Sequence, residues 1–214
     1  MPIEIRDYTP AFNTGWIRCR ALAVLGTAEA MEARSEKDEY PDNPIIELVA
    51  VSGAQVVAVQ QYVINTDANQ ETSLHHRGLG AWLGENFVHP DYQHQGLASR
   101  MLAIAESRLR AAGVQWLEVY TADDVPANNF YRKHGFQLKQ TYWLITGGRK
   151  DIPVPNTGVR AEVDATGVTN WIGRDGLPVP YLVQPAPFEV FDQKELVNFD
   201  ILDQHEMHGY LKIL

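Results

Sequence analysis

The chain has 214 residues, 45% of them hydrophobic, which is enough for one sizeable core and argues against wholesale disorder. Its formal net charge of -9, with Lys and Arg scattered, disfavours a nucleic-acid partner and suits plain solubility or attraction of small cations. No apolar run approaches membrane-spanning length, so no membrane partner is expected, and a single cysteine, Cys19, excludes an intrachain disulfide and fits a reducing, cytoplasmic setting.

The opening MPIEIRDYTP lacks a basic region followed by an apolar one, so a signal peptide is not expected. Ile3, Ile5 and Tyr8 alternate with polar residues as a first strand would. Thr9-Pro10 reads as a helix N-cap followed by proline at the first helical position. Phe12, Trp16, Cys19 and Ala23 then recur at helical spacing, which predicts a buried, inert thiol at Cys19. Residues 32–44 form a polar loop ending in two prolines. Residues 45–64 read as two apolar strands around a turn at Ser52-Gly53, followed by a polar connection that carries His75 and His76, expected at the surface or lining an acceptor site. Residues 81–89 predict a strand whose one glycine, Gly84, marks a bulge or a close backbone approach. After Gly96 the spacing of Ala98, Leu102, Ala105, Leu109 and Ala112 predicts an amphipathic helix that Gly113 stops. A strand over 114–121, a short helix over 125–135 and a strand over 136–146 follow. This alternation predicts an α/β layer with crossover connections.

Beyond residue 146 the composition turns to Gly, Pro and polar residues, and the runs PYLV, FEVF and GYLKIL predict short strands. This tail is expected to pack on the main domain or to complete a partner subunit in a homodimer. His205 and His208 have a spacing that could ligate a metal on a helix, but no third ligand is apparent and a surface pair is expected. Trp116, Trp143 and Trp171 read as core or interface aromatics.

The stretch with most chemical content is VHPDYQHQGLAS, residues 88–99. The first amides of a helix have no intrahelical partner, and the helix dipole makes that end positive. Amides from Gln95 to Ser99 can therefore hold an anion; Gly96 lets ligand oxygens approach, Ala98 keeps the next position small, and no acid stands in the first turn. A diphosphate is the natural match.

With Gln93, Gly96 and Ala98 in register, this stretch resembles the acetyl-CoA signature of the GNAT acetyltransferase superfamily. ANNFYRKHGF, residues 127–136, resembles the second signature of the same family. The resemblance covers residues 1–146. It implies the GNAT acyltransferase fold, a mixed α/β structure with a central sheet flanked by helices, and leaves 147–214 as a mostly β extension. It also implies that acetyl-CoA binds as co-substrate between the strands ending at Val88 and Thr121. The main chain of Phe87 and Val88 would pair with the pantetheine arm. Gln93, His94, Gln95, Gly96, Leu97, Ala98 and Ser99 would form the pyrophosphate turn. Asp124, Ala127, Asn128, Phe130 and Tyr131 would supply the second half of the site. Asp124 departs from the asparagine the family often has there, and Asn128 is the alternative contact.

By the same resemblance Tyr131 would protonate the departing thiolate; its alternative role is a packing residue beneath the sheet beside Phe130. Glu85, on the motif strand, is the first candidate for the base that deprotonates the amine; its alternative role is a solvated strand-end carboxylate. Tyr120, Glu118 or water are further candidates for the base. The implied activity is N-acetylation of a small-molecule or peptide amine, with loops 32–44 and 65–79 shaping the acceptor pocket and Glu32, Glu36, Asp38 and Glu39 able to meet a cation. A non-catalytic acyl-CoA-binding sensor or assembly module is the competing reading. A dinucleotide-binding oxidoreductase is disfavoured because the three-glycine turn and its ribose acid are absent.

Overall fold

The computed structural model describes residues 2–25, 36–151, 160–163, 165, 169–173, 175–178 and 186–214. The chain divides into two compact units, one of Met1–Thr141 with Met207–Leu214, the other of Tyr142–Glu206.

The first unit is built on a sheet. Strands β1 (Ile3–Asp7), β2 (Ile45–Ser52), β3 (Gln55–Ile64), β4 (Gly80–Val88), β5 (Trp116–Ala122) and the end of β10 (Phe199–Ile213) lie side by side in that order. All neighbours are antiparallel except β4 and β5, which are parallel. The β2–β3 hairpin turns at Gly53, whose φ of 61° suits a residue without a Cβ. Its strands are apolar on consecutive residues because both faces are covered. Val49, Val51, Val56 and Val59 pack with Trp16 and Cys19 of helix α1 (Asn13–Val24), while Leu48, Ala50, Val57 and Ala58 belong to the core that contains helix α2 (Leu97–Ala111).

The expected elements are present, with shifted details. Pro10 opens a 3-10 turn over Pro10–Phe12, and Thr9 makes no side-chain capping bond, so α1 begins at Asn13. Cys19 is buried as expected. The buried stripe of α2 is Leu97, Met101, Leu102, Ala105 and Leu109, whereas Ala98 is half-buried and Ala112 exposed. Helix α3 spans Val125–Lys133, and Gly113 and Gly135 follow α2 and α3 with φ of 84° each. Strand β6 (Gln137–Arg149) runs past the expected boundary at 146.

Two features position the site. In β4, Glu85 pairs with Gln61 but Leu83 pairs with Tyr62, so Gly84 is an extra residue: a β-bulge. The parallel pairing of β4 with β5 covers only Gly80 to Trp82 against Trp116 to Glu118. Past the bulge the two strands no longer pair, and a cleft of about 240 Å³ opens there.

The tail supplies more than an extension. Met207 to Ile213 pair antiparallel with β5, so these residues belong to the first unit. In the second unit β9 (Ala186–Val190), which contains most of FEVF, pairs antiparallel with β6, and β7 (Arg160–Val163) pairs with β8 (Thr169–Ile172). The PYLV run and the side chain of Trp171 lie outside the described residues. Trp116 is buried and Trp143 half-buried. His205 and His208 stand on strand β10, not on a helix. His208 is buried, not a surface residue, because its ring is bonded within the first unit. Among the described residues no cluster of His, Cys, Asp and Glu could hold a metal, and no helix is long and apolar enough to cross a membrane.

Candidate active site

The turn before α2 carries two left-handed residues, His94 (φ 59°) and Gly96 (φ 74°). Gly96 is the N-cap; no side chain caps the helix and no acid stands in its first turn. The amides of Leu97, Ala98 and Ser99 therefore have no partner from the helix itself. A Cβ placed on Gly96 would meet nothing within 4 Å, so its backbone angle, not protein packing, demands glycine. Leu97 is buried and offers only its main chain, Ala98 and Ser99 are half-buried, and Gln93, His94 and Gln95 are exposed. The Gln93 side chain donates to the Val88 carbonyl (3.2 Å), and Gln95 to that of Asp91 (3.4 Å).

Strand alternation after the bulge sorts β4 into two faces. Glu85 and Phe87 face α1: the Arg20 guanidinium of α1 donates from Nε to both Glu85 carboxylate oxygens (3.0 and 3.1 Å) and lies over the Phe87 ring (5.5 Å). Glu85 is buried, not a solvated strand-end carboxylate. Asn86 and Val88 face the other way, toward α2 and α3. The His89 amide donates to the Val57 carbonyl at 2.9 Å, so alternation turns the Val88 amide to the opposite edge, the cleft. Phe87, Val88, Gln93, Asp124, Ala127 and Phe130 all line that cleft, together with Arg20, Glu85, Asn86 and Tyr131.

Tyr131 both packs and faces the cleft. Its ring is buried against Phe130, Phe136 and Tyr210, with centroids 5.4, 5.4 and 5.8 Å away. Its hydroxyl oxygen accepts from Asn86 Nδ2 at 3.4 Å. Asp124 is the α3 N-cap but makes no side-chain capping bond.

The Asn128 side chain does not reach into the cleft. It is 2% exposed; Nδ2 donates to the carbonyls of Ala122 (2.9 Å) and Asp124 (2.8 Å), and Oδ1 accepts from His208 Nδ1 (2.7 Å) and the Tyr210 hydroxyl (2.6 Å). All its usual hydrogen-bonding capacity is directed inward, tying the β5–α3 junction to β10. Glu118 is likewise engaged: buried, it accepts from the Ser73 amide (2.9 Å) and the Leu74 amide (2.8 Å) and so anchors the β3–β4 loop. Tyr120 lines the cleft with its hydroxyl bonded to Ser73 Oγ. In the same loop, His75 packs edge-on against Trp116 (5.0 Å), and His76 is exposed.

Glu36, Asp38 and Glu39 line a second hollow of about 1110 Å³ with Tyr8, Tyr40 and Glu47, while Glu32 lies outside the described residues. Lys37 pairs with Glu47 there (2.7 Å), and burial, then the charges of Glu47 and Glu39, push the Tyr8 phenol up from 10.0. Burial also pushes the Cys19 thiol up to about 12, which leaves no thiolate at neutral pH.

The sequence reading missed Arg20 and Asn86. The signal for Asn86 was a polar residue in a strand otherwise rich in apolar ones. Arg20 gave none, since its carboxylate partner is 65 positions away.

The profile of the family described as "Acetyltransferase (GNAT) domain" matches residues 47–138, the segment that holds β3, the bulged β4, the α2 turn and α3. Over those residues the chain is similar to a GNAT acetyltransferase domain. The GNAT fold recurs in the ribosomal-protein-S18-alanine N-acetyltransferase of Escherichia coli, to which the chain is similar at 13% identity over 99% of this chain and 94% of that one, with a TM-score of 0.55. NAA60 of Arabidopsis thaliana, solved with a bisubstrate analogue, is similar at 10% identity over 99% and 98% of the two chains, TM-score 0.55. PaiA N-acetyltransferase of Thermoplasma acidophilum, solved with coenzyme A, is similar at 16% identity over 65% of this chain and 92% of that one, TM-score 0.50. At these identities the likeness is one of fold. No curated protein matches the sequence.

Proposed function

We propose that the protein is an acetyl-CoA-dependent N-acetyltransferase that moves the acetyl group to a primary amine of a small molecule or peptide by direct attack in a ternary complex. The observation that carries this reading is the cleft past Gly84, with an uncapped helix start beside it and Glu85 and Tyr131 on opposite faces of β4. Acetyl-CoA supplies the acyl group as a thioester. The open, cap-free turn at Gly96 fits its diphosphate, and β4 past the bulge offers main-chain groups to an extended arm, as an added strand would use them. The Val88 amide, turned to the cleft, is placed to polarise the thioester carbonyl and to support the negative charge that develops on its oxygen. Glu85, oriented by Arg20, is placed to draw a proton from the amine directly or through one water. Tyr131 gives its hydroxyl proton to the sulfur as the carbon–sulfur bond breaks. An overall charge of -9 favours a cationic acceptor on approach.

The test is thiol release from acetyl-CoA with a panel of polyamines, aminoglycosides, amino acids and peptides, with product mass as confirmation. Turnover that Tyr131→Phe lowers by about a hundredfold or more supports the reading. Tight coenzyme A binding with no turnover across the panel would replace it with an acyl-CoA-binding sensor.

A further inference from the structure

We infer that Asn86 is a positioning residue for the acid: it fixes the direction of the Tyr131 hydroxyl and supports the phenolate left when that hydroxyl gives up its proton. The inference rests on the acetyltransferase reading above.

The argument begins at a helix carbonyl. Gln60, fully buried in β3, sends Nε2 to the carbonyl of Ala98 (3.1 Å) in the first turn of α2. A carbonyl only accepts, so the group facing it must be the Gln60 NH₂ and not its oxygen. The Gln60 oxygen then faces the other way and accepts from the Tyr62 hydroxyl (2.6 Å). The same NH₂ also donates to Asn86 Oδ1 (2.9 Å). That bond fixes the Asn86 amide in turn: its oxygen is toward Gln60, so its NH₂ is toward Tyr131. The polarity of the whole chain, Tyr62 to Gln60 to Asn86 to Tyr131, is thus set by one main-chain oxygen.

The consequence for Tyr131 is chemical. A hydroxyl oxygen that accepts from Asn86 has its own proton turned away from Asn86. Tyr131 lines the cleft with Val88, whose amide points into the same space. As the thioester carbon–sulfur bond breaks, the electron pair stays on sulfur and the Tyr131 proton moves to it. The phenolate oxygen then carries the charge, and the Asn86 N–H faces it. The bond is long at 3.4 Å with a neutral hydroxyl, and it strengthens as its acceptor becomes charged. Solvent returns the proton to the phenolate before the next turnover. The same chain joins the phosphate-binding turn to the acid, since Ala98 belongs to the first turn of the helix that would hold the diphosphate.

The experiment is a double-mutant cycle of Asn86→Asp, Tyr131→Phe and the pair, run with acetyl-CoA and the panel amine turned over fastest. Asn86→Asp keeps the oxygen that Gln60 bonds and removes the donor to Tyr131. The expected result is a fall in kcat of about tenfold to a hundredfold. The KM for acetyl-CoA and the melting temperature stay near the parent's, and Asn86→Asp has no further effect in the Tyr131→Phe background. A purely structural Asn86 would instead lower stability and act additively in both backgrounds. Additive effects, or an unchanged kcat in Asn86→Asp, overturn the inference and leave the acetyltransferase reading standing. An unchanged kcat in Tyr131→Phe overturns the assignment of the acid and the inference with it. Absence of turnover with every amine overturns the acetyltransferase reading itself.

Discussion

Asn128→Ala separates two roles for a residue that the motif places at the cofactor and the structure places in the interior. The parent side chain makes four hydrogen bonds, to the carbonyls of Ala122 and Asp124 and from His208 and Tyr210, at 2.6 to 2.9 Å. The two carbonyls can only accept, so Oδ1 faces β10 and His208 must carry a proton on Nδ1. Truncation removes all four bonds in a site where the residue was 2% exposed; the two carbonyls keep the Asp124 and Asn128 main-chain amides as donors, so the loss of partners falls chiefly on His208 Nδ1 and the Tyr210 hydroxyl. At about 1 kcal/mol net per bond the loss is about 4 kcal/mol, with groups stranded without water adding to it. For a chain of this length each kcal/mol lowers Tm by about 2–4 °C, so scanning calorimetry should find Tm down by about 8–16 °C. Affinity for acetyl-CoA, titrated below the transition, should fall only as far as α3 loosens. A Tm within about 2 °C of the parent, together with at least tenfold weaker coenzyme A binding, would refute the interior role and return Asn128 to the cofactor.

Gly96→Val forces a side chain into a left-handed turn with open space around it, so stability should fall by about 1–2 kcal/mol while coenzyme A affinity falls by at least tenfold; unchanged affinity by calorimetry would remove the phosphate cradle. Arg20→Met takes the arginine from the buried Glu85 carboxylate and should cost about 3–5 kcal/mol in denaturant unfolding; a loss under about 1 kcal/mol would show the pair to be incidental. Cys19 should resist thiol reagents in the native state and react fully on unfolding. Its thiol keeps its proton up to about pH 12 when folded but only to about 9.0 when exposed. Between those values the unfolded chain holds fewer protons, so stability falls as pH rises, and Cys19→Ala should flatten that part of the slope.

Local pattern made much of the fold readable. Two consecutive apolar runs around Gly53 could only be covered strands, and the glycines at 96 and 113 bracketed α2 to within a residue of its ends. What escaped was carried by contacts distant in sequence. Residues 199–206 of β10 have charged or polar side chains at five of their eight positions and no clean alternation, so nothing local marked a long strand. Its end pairs with β5 through a register that neither strand alone encodes. For that reason His208 read as half of a surface pair. Asn128 read as the alternative to Asp124 for a cofactor contact, whereas its side-chain partners Tyr210 and His208 stand 82 and 80 positions downstream. Glu85 was legible as a carboxylate of the motif strand, but its ion pair with Arg20 was not, because only the packing of α1 on the sheet brings Arg20 near.

The bulge at Gly84 joins these observations. In a regular strand residues two apart share a face, so Leu83, which packs in the core shared with α2, would put Glu85 on the α2 face and Asn86 on the α1 face. The extra residue reverses this order: Glu85 meets Arg20 of α1, and Asn86 meets Gln60 and Tyr131. It also comes two residues after the last β4–β5 pair, where the cleft begins. A Cβ at position 84 would come to 3.2 Å from the Trp82 ring, a tight contact that this ring would have to relieve by a small shift. One inserted glycine therefore stands where the cleft begins and turns the Glu85 carboxylate and the Asn86 amide to opposite faces. Deleting Gly84 should turn Glu85 away from Arg20 and Asn86 away from Tyr131 together. No single substitution at either residue could reproduce that combined loss.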